Sequence, residues 1–518
     1  MLADWISDNA GRVPAKTAIR FSGRDVSYAE LSAMVERIAS ALAASGVRRG
    51  DCAAYLGFNS PEMLALLFAC AKLGALFMPL NWRLAAPEHK QMLLDCPPRV
   101  LIVESDFLAQ TRSIGETLAG IRLVAFGSPT SGWTPWDEFL GPGATPLPRD
   151  PAVGDDTPLL ICYTSGSTGK PKGVLLTQRA IEVNAANSED MHGLSGDDVI
   201  LNTLPLFHVG GLNNLTTPAL QAGCTVVLHA KFDPEATFDC LERGDITLTV
   251  LVPAQLDMMM ANRRWTSADF SSLRMITTGS SIVPRHVIQA VHAKGVPLVQ
   301  VYGATETCPI AVYLRADEAM HKPGSTGRVA RHCQLRLVDI EGNDVEPGET
   351  GEIWIKGDNV MSGYWQAPQA TAAVLADGWF RSGDMGHLDA EGYLYIADRR
   401  TDLIISGGVN VYPAEIEAAL DSHPRIASSV VIGLPDADLG QRVHAIVEAD
   451  AGDPGEEALR AYLAERLVRY KIPRGFEFVD HPLRDTAGKV RRSALREERI
   501  ARLKSLPPAP PPAPSPTR

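Results

Sequence analysis

The feature that most constrains the fold is the alternation of helix-forming segments with short runs of valine, leucine and isoleucine. The clearest helix pattern covers residues 26–46, where Ser27 to Glu30 forms a capping box and apolar residues recur at helical spacing. Such alternation is typical of α/β proteins whose largely parallel sheets are flanked by helices. The apolar runs that predict strands are residues 100–103, 225–228, 248–252 and 298–301.

The chain is too long for one ordinary core, since it has 518 residues. Its texture changes to short strands and turns at about residues 326–396, which predicts a β-rich subdomain within an N-terminal domain of residues 1–398. Residues 399–504 are sufficient for a small, separate α+β domain. The proline-rich residues 505–518 are expected to form an extended, disordered tail.

Charge and cysteine usage exclude several classes of protein. The formal net charge is −12, and no basic tract indicates a nucleic-acid partner. Eight scattered cysteines without a C-x-x-C pair, and no signal peptide at the start, favour free thiols and a cytoplasmic location. The longest apolar stretch, residues 63–80, contains Lys72, Gly74 and Pro79, so it predicts a buried helix that leads into a strand and not a membrane span.

Residues 163–173 combine backbone freedom, hydroxyl groups and positive charge in one loop. Glycines let successive N–H groups turn toward an anion, and the hydroxyls add donors. Pro171 follows Lys170, so the loop does not match the phosphate loop of ordinary NTPases. A flexible connector is the alternative. The residues proposed to hold the anion are Thr164, Ser165, Gly166, Ser167, Thr168, Gly169, Lys170 and Lys172.

Further polar, glycine-bearing segments occur where a packed domain does not need them. One places an aromatic residue, a glycine and an acid directly after the strand at 298–301, and open α/β sheets bind ligands at the carboxyl ends of their strands. Another holds His208 in an apolar run, where taken alone it indicates a structural histidine. The segments are residues 204–211, 302–307, 378–384, 398–410 and 484–489.

In order and spacing, these segments resemble the adenylate-forming superfamily of acyl-CoA synthetases, luciferases and peptide-synthetase adenylation domains, over about residues 5–500. The resemblance implies a large N-terminal domain of sheets flanked by helices, and a small mobile C-terminal domain with a hinge near 399–402. It also implies that a carboxylate attacks the α-phosphorus of ATP and releases pyrophosphate. A thiol then displaces AMP from the acyl-adenylate.

The resemblance carries roles for individual residues. Lys489 matches the catalytic lysine that neutralises charge between the carboxylate and the α-phosphate. Thr164, the loop that follows it and Lys172 would wrap the pyrophosphate, and Thr305 and Glu306 match the residues beside Mg²⁺. The remaining matches are Tyr302 and Gly303 at adenine, Asp384 and Arg399 at ribose, His208 beside the acyl pocket, and Ser406, Gly407 and Gly408 at the thioester site.

The same resemblance places the acyl pocket in three segments. Gly210, Gly211 and Gly279 would leave room, whereas the hydroxyl groups either hold a polar ring substituent or satisfy backbone groups. No cationic residue is evident in these segments to pair with a second carboxylate, which argues against dicarboxylic acids. A medium- or long-chain fatty acid is favoured slightly over an aryl or hydroxycinnamate-type acid. The predicted lining is His208, Val209, Gly210, Gly279, Ser280, Ser281, Thr307 and Ile310.

The acceptor thiol and the hinge leave alternatives open. Only about thirty residues follow Lys489, so free coenzyme A is favoured over an attached carrier. An enzyme that loads a separate carrier protein, or a non-catalytic acyl or adenylate sensor, is the alternative. Thr401 stands where relatives usually carry Lys or Asp, and its β-branching restricts the rotation expected at a hinge. A homodimer is possible.

Overall fold

The computed structural model has the predicted α/β architecture. It describes residues 1–128, 130–143, 147–148, 150–164, 171–399, 402, 404–406, 409–436, 439–449, 454–467, 469–484 and 490–505.

The strands and helices alternate along most of the chain. The strands are β1 Thr17–Phe21, β2 Arg24–Ser27, β3 Cys52–Leu56, β4 Leu76–Leu80, β5 Val100–Glu104, β6 Arg122–Phe126, β7 Thr134–Pro135, β8 Pro158–Thr164, β9 Lys172–Thr177, β10 Val199–Asn202, β11 Thr225–Leu228, β12 Leu248–Val250, β13 Met275–Thr278, β14 Leu298–Tyr302, β15 Val312–Tyr313, β16 Arg328–Val329, β17 Cys333–Val338, β18 Gly351–Gly357, β19 Gly363–Tyr364, β20 Leu375–Ala376, β21 Trp379–Leu388, β22 Leu394–Arg399, β23 Ile404–Ser406, β24 Val409–Val411, β25 Ile426–Asp436, β26 Gly440–Ala449 and β27 Gly475–Val479. The α-helices are α1 Trp5–Arg12, α2 Tyr28–Ala44, α3 Pro61–Leu73, α4 Ala86–Asp95, α5 Leu108–Arg112, α6 Trp136–Leu140, α7 Gln178–His192, α8 Val209–Gly211, α9 Thr217–Ala222, α10 Pro234–Leu241, α11 Pro253–Met260, α12 Arg285–His292, α13 Ala316–Ala319, α14 Pro368–Val374, α15 Pro413–Asp421, α16 Glu456–Ala464 and α17 Arg492–Ser505.

Two large sheets carry the N-terminal part of the chain. In the first, the strand order is β16-β15-β14-β13-β12-β10-β11-β1-β2, and in the second it is β19-β9-β8-β4-β3-β5-β6-β7. The central pairs of both sheets are parallel. Antiparallel pairs lie at both edges of the first sheet but at only one edge of the second, where β9 pairs with β8 and β19, since β7 pairs parallel with β6 at the other edge. Their strands are buried by the flanking helices, so each sheet presents its loops at the carboxyl ends of its parallel strands.

The local patterns determine where helices begin. The helix predicted over 26–46 begins only at Tyr28, because Val26 and Ser27 pair with β1 as part of β2. Ser27 caps it, since its Oγ accepts from the N–H of Glu30 while the Glu30 carboxylate accepts from the N–H of Ser27.

The long apolar stretch forms α3 and β4, as predicted. Ser60 caps α3, and Gly74 ends it at φ +63°, in the left-handed region that favours glycine. Within the described part of the chain, no helix combines the length and apolarity needed to cross a membrane.

A third sheet, in the order β17-β18-β21-β20 with β22 beside β21, forms in the region predicted to be β-rich. A fourth follows in the order β24-β23-β26-β25, with β27 beside β26. The chain divides into two compact units, the first of residues 1–349, 353–382 and 388–395 and the second of residues 350–352, 383–387 and 396–518. The predicted domain boundaries remain predictions.

All eight cysteines are free thiols, and every one except the half-buried Cys333 is buried. Burial raises the thiol pKa, to about 12 for Cys162 and to about 11 for Cys333. These two thiols are therefore protonated and unreactive at neutral pH.

Candidate active site

The predicted anion loop is held by a β-hairpin. Strands β8 and β9 pair antiparallel up to Thr164 and Lys172, and Thr164 Oγ1 lies 3.5 Å from the backbone oxygen of Lys172. The two ends of the loop are therefore neighbours in one sheet. Residues 165–170, which include most of the predicted anion ligands, lie outside the described residues.

A chain of side chains leads from this hairpin to Glu306. Strand β19 pairs with β9 and places Tyr364 beside it, and Lys172 Nζ lies 5.1 Å from the centre of the Tyr364 ring. The Tyr364 hydroxyl donates to Glu306 Oε1 at 2.8 Å. Burial and the neighbouring Glu306 carboxylate raise the pKa of Tyr364, so it stays a neutral donor. The structure thus joins two predicted site residues, Lys172 and Glu306, through one tyrosine.

The turn after β14 carries Tyr302, Gly303, Thr305 and Glu306 at the carboxyl end of a strand, as predicted. The turn closes so tightly that a Cβ on Gly303 would lie 1.6 Å from the backbone oxygen of Pro309. Only glycine fits there. Tyr302 is buried, and Thr305 and Glu306 are half-buried.

Buried amides lock the far end of this turn. Thr307 Oγ1 accepts from the N–H of Ala304 and lies 3.0 Å from the Pro309 oxygen, so this hydroxyl serves the backbone and not a ring substituent. Asn184 Oδ1 accepts from the N–H of Ile310 at 2.9 Å, and Asn359 donates to the backbone oxygens of Thr307 and Ile310. Thr307 and Ile310 are completely buried.

His208 stands at the start of the helix predicted to border the acyl pocket. Its backbone oxygen accepts from the N–H groups of Gly211 and Leu212, both at 3.0 Å, and its ring is exposed. The ring packs against Phe207 with centroids 4.5 Å apart, and Phe207 in turn meets Trp82 edge-on. An aromatic surface therefore adjoins the predicted pocket.

The three glycines expected to leave room differ from one another. A Cβ on Gly211 would lie 2.3 Å from the Pro205 oxygen, and one on Gly279 would lie 2.6 Å from the Val301 oxygen. These two glycines therefore permit close backbone packing and leave no room, contrary to prediction. A Cβ on Gly210 would meet only Ser280 Oγ, at 4.0 Å, so Gly210 faces an opening. Val209 is buried, Ser281 is half-buried, and Ser280 is exposed with φ +72°.

A buried histidine supports the helix layer behind this pocket. His192, the last residue of α7, hydrogen-bonds Ser188 through Nδ1 and Thr277 Oγ1 of β13 through Nε2, at 2.8 and 2.9 Å. Burial lowers the pKa of His192 to about 4. The ring is therefore neutral at physiological pH and acts as a structural link.

The remaining predicted residues lie later in the chain. Asp384 is half-buried on β21, where the preceding Gly383 N–H donates to Glu352 Oε1. Ser406 is buried at the end of β23, beside Val409 of β24. Arg399 ends β22. Thr401, Gly407, Gly408 and Lys489 lie outside the described residues.

Several residues that the sequence interpretation missed shape the site. They are Tyr364, Asn184, Asn359 and a pair of asparagines, Asn213 and Asn214. The asparagine pair lies on the continuous helical segment from Val209 to Ala222, called the pocket helix below. Only the asparagine pair carried a signal in the sequence, because two adjacent amides follow Gly210, Gly211 and Leu212 in an otherwise apolar run. The others act across long sequence separations.

Comparison with known proteins identifies the family. The model of the AMP-binding enzyme family matches residues 6–365, and the model of its C-terminal domain matches residues 415–489. The chain belongs to the AMP-binding enzyme family. The resemblance inferred from the motifs is confirmed.

Curated relatives are ligases over nearly the whole chain. An indoleacetate–CoA ligase of Aromatoleum aromaticum is 59% identical, with 96% of this chain and 98% of the relative covered. A feruloyl-CoA synthase of Amycolatopsis is 40% identical over the same shares. A long-chain-fatty-acid–CoA ligase, FadD13 of Mycobacterium tuberculosis, is 36% identical, with 91% and 93% covered. This AMP-binding enzyme is therefore an AMP-forming acid–thiol ligase, as predicted.

Solved structures agree with the fold. The o-succinylbenzoate coenzyme A synthetase of Bacillus subtilis, solved in complex with ATP and magnesium ion, superposes with a TM-score of 0.84. It is 34% identical, and the match covers 95% of this chain and 99% of that chain. The predicted adenylate-forming fold is confirmed.

The residues present suit ATP accompanied by a hard cation. Glu306 offers carboxylate oxygens, one of which accepts from Tyr364. Among the described residues, no group of three or more His, Cys, Asp or Glu gathers as a dedicated metal cage. Mg²⁺ is commonly bound by one or two carboxylates together with substrate phosphates, and this donor set fits that mode.

Proposed function

We propose that this ligase activates an aryl or arylacetic acid, with indoleacetate as the first candidate, and transfers it to coenzyme A. The observation that carries the proposal is the 59% identity with an indoleacetate–CoA ligase along 96% of the chain. The pocket supports it, because an aromatic surface of Phe207 and Trp82 adjoins His208 and an opening faces Gly210. The preference for a medium- or long-chain fatty acid is not confirmed.

In the proposed reaction each residue would have the role inferred from its motif. Thr164, Lys172 and the loop between them would hold the phosphates of ATP, with Glu306 on the side of Mg²⁺ and Asp384 at the ribose. Lys489 would neutralise the carboxylate and the α-phosphate as they approach, because two anions must meet in this step. Mg²⁺ would supply further charge neutralisation at the phosphates. His208 and Gly210 would border the acid.

A panel of carboxylic acids tests the substrate. Coenzyme-A-dependent AMP release is measured with indoleacetate, ferulate, phenylacetate, octanoate and palmitate, each at several concentrations. We expect the highest kcat/KM among the aryl acids. A higher value for octanoate or palmitate than for every aryl acid would replace the proposal with the fatty-acid alternative, which the 36% identity with FadD13 favours.

The identity of the acceptor thiol needs a separate experiment. If the enzyme loads a carrier protein, pyrophosphate exchange into ATP would depend on the acid, while free coenzyme A would give no thioester. We expect the thioester with free coenzyme A. The cytoplasmic location and a homodimer stay predictions.

A further inference from the structure

Asn214 carries a buried side-chain amide whose oxygen has no hydrogen-bond donor. The residue is 3% exposed, and its Oδ1 has no partner within the described part of the chain. Its backbone oxygen, in contrast, accepts from Ser188 Oγ at 2.6 Å. Buried polar groups are nearly always paired, because leaving one unpaired costs the desolvation of that group. The Asn214 amide therefore calls for an explanation.

The residue before it behaves in the opposite way. Asn213 donates from Nδ2 to Cys308 Sγ at 3.4 Å, accepts from Thr217 Oγ1 at 3.1 Å, and receives Asn184 Nδ2 on its backbone oxygen at 2.7 Å. These bonds tie the pocket helix to the turn after β14. Since the fold satisfies Asn213 within the protein, the unpaired oxygen of Asn214 is not explained by a general lack of donors in this layer.

Helix geometry places Asn214 on the pocket side. Residues 212–216 form a π-helical turn that continues α8 directly into α9. Gly210 and Asn214 are four residues apart, so they lie one above the other on the same helix face. Because a Cβ on Gly210 would meet only Ser280 Oγ, at 4.0 Å, we infer from this spacing that Asn214 lies one turn further along the helix on the side of that opening. Single π turns are frequent at functional sites.

We propose that Asn214 Oδ1 accepts a hydrogen bond from a ring N–H of the acid and thereby selects indole-type acids. The inference rests on the proposed function and deepens it. An indole ring is apolar except for one N–H donor, and burial of that donor is costly without an acceptor. Val209, Leu212 and Leu215 of the same helix are apolar and buried in the core, whereas Asn214 Oδ1 is an unpaired acceptor. The ring N–H and this acceptor therefore complement each other.

The test compares two acids of nearly the same shape, indole-3-acetate and 1-benzothiophene-3-acetate, in which sulfur replaces the N–H. The kcat/KM of each is measured as coenzyme-A-dependent AMP release. We expect the unaltered enzyme to prefer the indole acid by about tenfold or more. Asn214→Leu should bring the ratio close to one, chiefly by lowering kcat/KM for the indole acid, without loss of thermal stability.

Two further variants keep the outcome clear. Gln178→Met is the matched control, because Gln178, the first residue of α7, is buried and likewise has an unpaired side-chain oxygen, Oε1. Its Nε2 donates to the backbone oxygen of Ala71. The ratio in this variant should stay that of the unaltered enzyme. Asn214→Ser retains an acceptor on a shorter side chain, so it should give an intermediate ratio even if the leucine variant does not fold.

The outcomes separate the inference from the function on which it rests. A ratio near one in the unaltered enzyme, or an equal ratio in Asn214→Leu and the unaltered enzyme, would overturn the inference and assign the amide to a structural water. The proposed function would survive in that case. Failure of the unaltered enzyme to use any aryl acid would overturn the proposed function, and the inference with it.

Discussion

The turn after β14 and the pocket helix border the same candidate site but are built differently. In the turn, Gly303 permits a backbone contact that no other residue allows, and Asn359 and Thr307 satisfy the backbone groups around it. In the helix, Gly210 faces an opening and Asn214 keeps an unpaired acceptor. The difference teaches that the turn, which we propose to face the nucleotide, is fixed by the protein alone, whereas the helix, which we propose to border the acid, keeps space and polarity that a substrate can complete.

The largest expected effect concerns the chemistry that is common to every acid. Lys489→Ala should lower acid-dependent pyrophosphate exchange by about 10²–10³-fold, because the charge that we assign to this lysine would be lost where two anions meet. The loss should be the same for each acid and should largely spare thioester formation from preformed acyl-adenylate. Arg491→Ala, two residues away on an exposed position, serves as the control. Equal loss in both steps would contradict the assigned role.

Two glycine substitutions compare the regions directly. Gly303→Ala should destabilise the N-terminal unit by about 3 kcal/mol, because the new methyl group would clash with the Pro309 backbone. Gly210→Ala has room for its methyl group and should leave stability equal or slightly higher, since alanine favours helix. It should raise KM for bulky aryl acids by narrowing the opening. Thermal denaturation measures the stability of both variants, and steady-state kinetics with aryl acids measures KM. A similar loss of stability in the two variants would contradict the difference proposed between the turn and the pocket helix.

Acid pH should weaken the layer behind the pocket. The pKa of His192 is lowered to about 4 in the folded protein, so between pH 6.5 and 4 the unfolded chain binds a proton that the folded protein does not. Stability should therefore fall as pH decreases through this window, by at most about 3 kcal/mol from this group. His192→Gln should flatten this part of the stability profile measured by urea unfolding. An unchanged slope would assign the acid sensitivity to other groups.

The smallest effect is expected at the tyrosine between Lys172 and Glu306. Tyr364→Phe removes the hydroxyl that donates to Glu306 and should reduce pyrophosphate exchange by roughly three- to tenfold, equally for all acids. Tyr393→Phe is the matched control, because Tyr393 donates to Glu318 at the same 2.8 Å distance. We expect near-normal exchange in the control. An effect of Tyr364→Phe that varies from acid to acid would contradict the distinction between the turn after β14 and the pocket helix.

The parts predictable from the sequence are those specified by local patterns. Strand Thr225–Leu228 and the capping box at Ser27 follow from neighbouring residues, and both are present as predicted. The motif that holds Glu306 was recognisable, whereas its partner Tyr364 lies 58 residues later and carries no local signal. Gly279 was predicted to leave room in the pocket, but its close approach to Val301 depends on how two strands pack. Long-range contacts of this kind leave no pattern in a single sequence.

The eight shielded thiols have a practical consequence. Since seven of the eight native cysteines are buried and the eighth is half-buried, a thiol-reactive dye should prefer a cysteine newly introduced at an exposed position. Site-specific labelling of this protein should therefore not require replacement of its native cysteines.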